Sequence, residues 1–299
     1  MSGRRKSVLI TGASGGVGQA AVGRLCELGW HVFAGVRDAQ AGERLAKGDK
    51  AVIPVILDIC HEVSITRARD RIAERVGPTG LDGLVNNAGA SIDGPIELVP
   101  LDALRRQFEL NVFGQVAVTQ AFLPLVRAAQ GRIVNMGGAA GRMTLPMYGA
   151  LSASKGALDS ISDALRMELK RQGVRVSYIE PGALGTDFFR KSAKQALLDH
   201  EGADPLLRAL YANAIDQSSK ALSKSRTTPV DHAVTAIVKA LTASKPRARY
   251  VVGLEARMGL LFLLRMPTSI RDRILMSTLG LGGDVFSEPP ARRASAAST

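Results

Sequence analysis

The chain has 299 residues, 46% of them hydrophobic, with a mean hydropathy of +0.08. That suffices for one large domain with a substantial core, and no apolar run is long enough to span a bilayer. The net charge of +12 comes from basic residues dispersed along the chain (Arg67, Arg69, Arg71, Arg75, Arg105, Arg106), without interleaved aromatics, which argues against a nucleic-acid surface.

Arg4-Arg5-Lys6 leads straight into an apolar strand at Ser7–Ile10, a pattern without a secretory leader. Thr11-Gly12-Ala13-Ser14-Gly15-Gly16-Val17-Gly18 follows, then a helical pattern over 17–28 closed by Gly29. Strand, glycine turn and helix form the setting of a dinucleotide site. Gly12 permits a tight turn, Gly16 lets backbone amides approach a pyrophosphate, and Gly18 lets helix and strand pack closely. The helix N-terminus offers unpaired N–H groups and partial positive charge to phosphates.

His31–Val36 alternates into a second strand and ends at Arg37, about 20 residues past the glycines, where a dinucleotide fold reads the adenosine 2′ position. An arginine favours a 2′-phosphate, hence NADP over NAD. The other reading is an ordinary surface arginine, its charge blunted by Asp38. A third strand at 51–57 ends in Asp58, which either accepts from an adenine amino group or caps the helix starting near Glu62. A fourth, 81–85, enters Asn86-Asn87-Ala88-Gly89, a floor beneath a ligand or a plain turn.

Residues 101–129 read as one long helix interrupted near Pro124, with Asn111 inside it between Leu110 and Val112. Asn lowers helix propensity and, if buried, requires partners. Arg132–Met136 is a fifth strand followed by Gly137-Gly138; 151–171 is the next amphipathic helix; 174–179 is a sixth strand entering Glu180-Pro181-Gly182. Residues 188–224 form a helical excursion, a candidate substrate cover, before a helix at 230–241 and a last strand at Arg249–Val252. The most apolar stretch, Met258 to Met266, is too short to span a membrane and carries Arg265; it reads as a buried or dimer-facing helix, or as a surface attachment to a membrane. Cys26 and Cys60 lack metal spacing and read as reduced core thiols of a cytoplasmic protein.

Strands and helices alternate throughout, predicting an α/β fold: a Rossmann-type, doubly wound parallel sheet in one domain over 1–282. Residues 283–299, with Pro289-Pro290 and many Ala and Ser, read as a mobile tail.

With Thr11-Gly-x-x-x-Gly16-x-Gly18, Asp58, Asn86-Asn87-Ala88-Gly89, Asn111, Lys155 and Pro181-Gly182-x-x-x-Thr186 in this order, the chain resembles the short-chain dehydrogenase/reductase family. The segment from Pro246-Arg-Ala-Arg-Tyr250 to Arg271-Asp272-Arg273 resembles the branch acting on steroids and retinoids. The resemblance implies a cofactor set of Gly12, Ser14, Gly15, Gly16, Val17, Gly18, Arg37, Asp58, Ile59, Asn87, Ala88, Gly89, Lys155, Pro181, Gly182 and Thr186. It also implies a homodimer or homotetramer. The family catalyses with Asn, Ser, Tyr and Lys. Asn111 and Lys155 match, but Leu151 stands where the tyrosine is expected and Gly138 where the serine is expected.

Leu151 and Lys155 share a helix face at i, i+4, so a hydrocarbon replaces the phenol. General acid catalysis contributes about 10²–10⁴-fold and one oxyanion donor about 10²–10³-fold, so an unactivated ketone should turn over poorly. Three accounts follow. Tyr148, seven residues before Lys155, takes the role or is a pocket-wall aromatic. Alternatively, the substrate is a quinone or enone that spreads the developing charge. Or the fold binds NADP or a hydrophobic ligand for a non-redox purpose. The leading expectation is NADPH-dependent reduction of a small hydrophobic carbonyl, polyketide- or steroid-like, with Asn111, Lys155 and Tyr148 as the catalytic set and no metal.

Overall fold

The computed structural model describes residues 4–199, 202–283 and 285–286. The expected tail therefore lies almost wholly outside the described residues. Among them, no helix is long and apolar enough to cross a membrane.

The elements in chain order are β1 Ser7–Ile10, α1 Gly16–Glu27, β2 His31–Val36, α2 Ala39–Ala46, β3 Val52–Ile56, α3 Glu62–Val76, β4 Gly83–Asn86, α4 Leu101–Phe108 and α5 Gly114–Ala128. They continue with β5 Arg132–Met136, α6 Gly149–Leu169, β6 Arg175–Pro181, α7 Phe188–Asp199, α8 Pro205–Lys224, α9 Val230–Thr242, β7 Arg249–Val252, α10 Leu254–Phe262 and α11 Thr268–Thr278. All strands are parallel, in the order β3-β2-β1-β4-β5-β6-β7. The chain leaves β1 in one direction and, after β3, returns to the other side of β1 with β4. That reversal opens a crevice beyond the C-terminal ends of β1 and β4.

Side chains on a strand alternate between faces. In β1, Val8 and Ile10 pack with Ala21, Leu25, Ala41 and Ile237 beneath α1, α2 and α9, while Leu9 packs with Ile72, Val118 and Phe122 beneath α3 and α5. Both faces are covered, as a parallel sheet requires. A third cluster, Met147, Tyr148, Leu151, Ala214, Leu279 and Leu281, lies where α8 and the segment after α11 close over the start of α6.

Several expectations need correction. The 101–129 helix is not interrupted at Pro124, which lies inside α5; the break is a π-helical segment, Glu109–Phe113, and Asn111 sits in it. Wide i→i+5 turns insert a residue into a helix and turn side chains off its regular faces. Cys26 and Cys60 are free but half-buried rather than core. The Met258–Met266 stretch is only partly buried within the chain: Gly259 and Leu260 of α10 are buried, while Met258, Leu261 and Phe262 are exposed. Finally, α6 begins at Gly149, just before Leu151.

Candidate active site

The crevice is laced together by Thr11 at the end of β1. Its Oγ1 accepts the amides of Asn87 at 2.9 Å and Ala88 at 3.0 Å, fastening the ends of β1 and β4. Asn87 returns the link, its Nδ2 donating to Thr11 O at 3.0 Å and Gly12 O at 3.1 Å. The side chain of Asn87 thus braces the glycine turn.

Gly12 has φ +62°, and a Cβ there would lie 2.9 Å from Ala88 Cα, so conformation and space both demand glycine. A Cβ at Gly18 would lie 2.4 Å from Gly12 O. Gly16 faces Thr186, whose Cγ2 would be 2.9 Å from an added Cβ. Ser14, Gly15 and Gly16 are exposed, Val17 half-buried. No side chain caps the N-terminus of α1, and no acidic residue stands in its first turn. A shallow glycine turn followed by open helix amides fits the phosphates of a dinucleotide.

At the end of β2, Arg37 is exposed and makes no ion pair among the described residues. Asp38 does not blunt it by pairing: its carboxylate accepts the amide of Ala41 at 2.7 Å as the N-cap of α2. Asp58 is not the cap of α3, a position held by His61; its Oδ1 accepts the amide of Cys60 at 3.0 Å. Ile59 is buried, its carbonyl against Gly114. Pro181 closes β6, and Gly182 donates its amide to Val252 O at 3.0 Å.

Asn111 is fully buried. The π segment aims it at the loop after β4, where Oδ1 accepts the amide of Ala90 at 3.0 Å and Nδ2 donates to Ala90 O at 2.9 Å and Ser154 Oγ at 3.1 Å. Gln107, four residues earlier, also donates to Ala90 O and Ser154 Oγ. A Cβ on Gly89 would lie 3.1 Å from Asn111 Oδ1 and 3.5 Å from Lys155 Nζ, so Gly89, Asn111 and Lys155 meet at one point. Lys155 is 7% exposed, and its Nζ donates to Met136 O at 2.8 Å. Burial brings its pKa down to about 8.

Beside Lys155 stand the two positions that carry no polar group. Leu151 is 6% exposed and packs with Met147, Tyr148 and Ala214. A Cβ on Gly138 would approach nothing closer than Lys155 Cγ at 3.8 Å. Gly137 differs: a Cβ there would fall 1.9 Å from Tyr178 Cζ. Tyr148 is not on the helix but is its N-cap residue (φ −122°, ψ 23°), so its place is set by the Leu145–Tyr148 turn. Its ring still reaches the cluster around Leu151, edge-on to Phe189 at 5.9 Å. Burial, with the nearby Asp93 carboxylate adding to it, raises its pKa above that of a free phenol.

Sequence reasoning passed over Thr11 as a brace, and Gln107 and Ser154 as partners of Asn111. The spacing of Gln107 four before Asn111 is a signal that could have paired them. Ser154 joins across 43 residues, which no local pattern reveals.

The sequence profile of the short chain dehydrogenase family matches residues 6–197. The chain belongs to this family. It is similar to an NADPH-dependent 3-dehydrocapnine reductase from Ornithobacterium rhinotracheale, 34% identical over 281 residues that cover 91% of this chain and 96% of that protein. It is also similar to mouse estradiol 17-beta-dehydrogenase 2, 34% identical over 287 residues covering 91% and 74%. Among solved structures, a short chain dehydrogenase from Burkholderia cenocepacia J2315 in complex with NADP superposes with a TM-score of 0.71 at 26% identity, covering 91% of this chain and 98% of that one. The relatives are oxidoreductases by name, and the seven-stranded parallel sheet is the fold this chain shares with such structures.

Proposed function

We propose that this chain binds NADP and reduces a hydrophobic carbonyl compound, a quinone or enone of polyketide or steroid type, at an atypical site without the tyrosine and serine its family uses. NADPH, when bound, supplies the hydride. The observation that carries the reading is the meeting of Asn111, Gly89 and Lys155 at the crevice, next to an intact glycine turn and an uncommitted Arg37.

The turn 12–18 and the amides of α1 hold the pyrophosphate, and Arg37 meets the 2′-phosphate. Thr186 lies across Gly16 and closes the cradle. Asp58 and Ile59 border the adenine; Ala88, Gly89, Pro181 and Gly182 border the nicotinamide end. Leu151, Met147, Tyr148 and Phe189 form an apolar wall for the substrate, and α7 and α8 cover it. A substrate that delocalises negative charge needs little help from an acid, which suits a wall of hydrocarbon. Tyr148 is the phenol on that wall and the candidate donor, weakened by its raised pKa. The family resemblance adds a homodimer or homotetramer, and the two free cysteines a cytoplasmic setting.

The packing of Leu151 into a closed apolar cluster favours a second reading, an NADP-binding protein without redox chemistry. Quinones, conjugated enones and saturated polycyclic ketones offered with NADPH separate the two. The reductase consumes NADPH with the first two and poorly with the third. A protein that binds NADPH tightly, with equal affinity in the presence of each compound, yet oxidises it with none, is the non-redox one.

A further inference from the structure

The edge of the sheet opposite the crevice carries a cavity of about 460 Å³ that the cofactor cradle does not use. It lies at the N-terminal ends of β1 and β2, beside the last turn of α3. The length of β2 separates it from Arg37, about 20 Å along the strand. The guanidiniums of Arg4, Arg5 and Arg75 line it, and no acidic side chain does. Phe33, Ile53 and Val76 give it an apolar side. Its size is that of a small-molecule site.

Two of the three charges lack a counter-ion. Arg4 is neutralised: it donates at 2.9 and 2.8 Å to Asp82, which also accepts the Ser7 amide. Asp49, ahead of β3, accepts the Ala51 amide at 2.8 Å. Arg5 and Arg75 pair with no carboxylate among the described residues. Both act on His31, whose Nδ1 is buried and makes no hydrogen bond among the described residues. Burial, then the charges of Arg5 and Arg75, hold its pKa below the ordinary imidazole value. A solvated basic patch accounts for exposed arginines. It does not account for a buried ring nitrogen left without a partner beside two guanidiniums and an apolar floor.

We infer that this cavity is a ligand site for an organic anion: a phosphate or carboxylate held by Arg5 and Arg75, with a flat apolar body against Phe33, Ile53 and Val76. Guanidiniums match both oxyanions through paired N–H donors. His31 completes the set, because an anion placed there favours the protonated ring, whose Nδ1–H then has an acceptor. The site stands whichever reaction the crevice performs.

Four probes test it by calorimetry with NADP⁺ in excess: 1-naphthyl phosphate, 1-naphthoate, 1-naphthol and inorganic phosphate. At least one naphthyl anion should bind about 10-fold or more tightly than naphthol or inorganic phosphate, the worth of a charge-assisted contact against the first and of a buried ring against the second. The tighter of the two anions names the oxyanion. Arg5→Gln with Arg75→Gln should abolish the preference; both side chains are exposed, so the fold stays intact. In the unmodified protein, NMR titration of the His31 ring, assigned with His31→Gln, should show its pKa rise when the preferred anion is bound. Naphthyl anions bound no more tightly than naphthol or inorganic phosphate, a preference retained in the double variant, or a His31 titration unmoved by the bound anion each overturns the site.

Discussion

The Nζ of Lys155 donates to the main-chain carbonyl of Met136 at 2.8 Å, fixing the ammonium at the C-terminal end of β5. Among the described residues it has no carboxylate partner, and burial brings its pKa down from 10.5 to about 8. The unfolded chain then holds a proton up to about pH 10.5 that the folded protein releases near 8. The unfolded state binds more protons across that window, so this group's contribution to stability rises with pH. Its penalty is complete below about pH 8 and gone above about 10.5, on the order of 3 kcal/mol in all. In urea unfolding of the cofactor-free protein, Lys155→Met should be stabilising at pH 7 relative to its effect at pH 10. Parallel pH profiles for the two proteins would contradict this.

Arg37 and Asp38 are adjacent in sequence and do different jobs. Asp38 caps α2 through Ala41 N and forms no ion pair with Arg37 among the described residues, which leaves the guanidinium's donors open to a ligand. Arg37→Ala should weaken NADPH binding about 10- to 100-fold, the worth of a charge-assisted hydrogen bond, and change NADH binding little. Titration of both nucleotides into both proteins checks it. An equal loss for NADPH and NADH would mean that Arg37 acts on the fold rather than on the 2′-phosphate.

How far such features can be read beforehand depends on how local their causes are. The glycine turn and the seven strands are visible because their signals span a few residues: alternation, punctuation, small side chains. The π segment at 109–113 is not, since propensity does not distinguish an i→i+5 turn from an α-helical one, and proline drew attention to the wrong position, Pro124. The distance from Asp58 to Glu62 is compatible with a helix cap, but the chain turns through Cys60 first and His61 takes that position. Asp93 and Ser192 stand 99 residues apart and become partners only when α7 folds across the crevice.

Gly137 and Gly138 give a sharp pair. The phenol of Tyr178, donating to Lys155 O at 2.8 Å, fills the space a side chain at 137 would need. No comparable obstacle stands at 138, where φ is 179° and the nearest atom is 3.8 Å away. Gly137→Ser should cost about 3 kcal/mol or more by overpacking, and Gly138→Ser about 0.5 kcal/mol or less. Thermal unfolding of the two variants measures the difference. A comparable loss at both positions would show that glycine at 138 is demanded by the fold.

The last prediction concerns the proton. If Gly138 is free to accept a hydroxyl and Leu151 holds the place of a phenol, Leu151→Tyr with Gly138→Ser should confer turnover of a saturated ketone. The gain expected is about 10²-fold or more, the contribution of one acid plus part of an oxyanion contact. It comes with a loss of stability, because tyrosine at 151 must displace Met147, Ala214 or Leu279 from a closed cluster, at about 1–3 kcal/mol. Tyr148→Phe in the unmodified protein reads the other side. Its buried phenol is a poorer acid than a free one, so removal should cost about 10²-fold in enone reduction, the low end for general acid catalysis. A rate that survives Tyr148→Phe assigns protonation to water or to the substrate itself. A double variant that stays silent with saturated ketones, while folded and binding NADPH, would show that the wall around Leu151 and not the lost phenol decides which carbonyl is reduced.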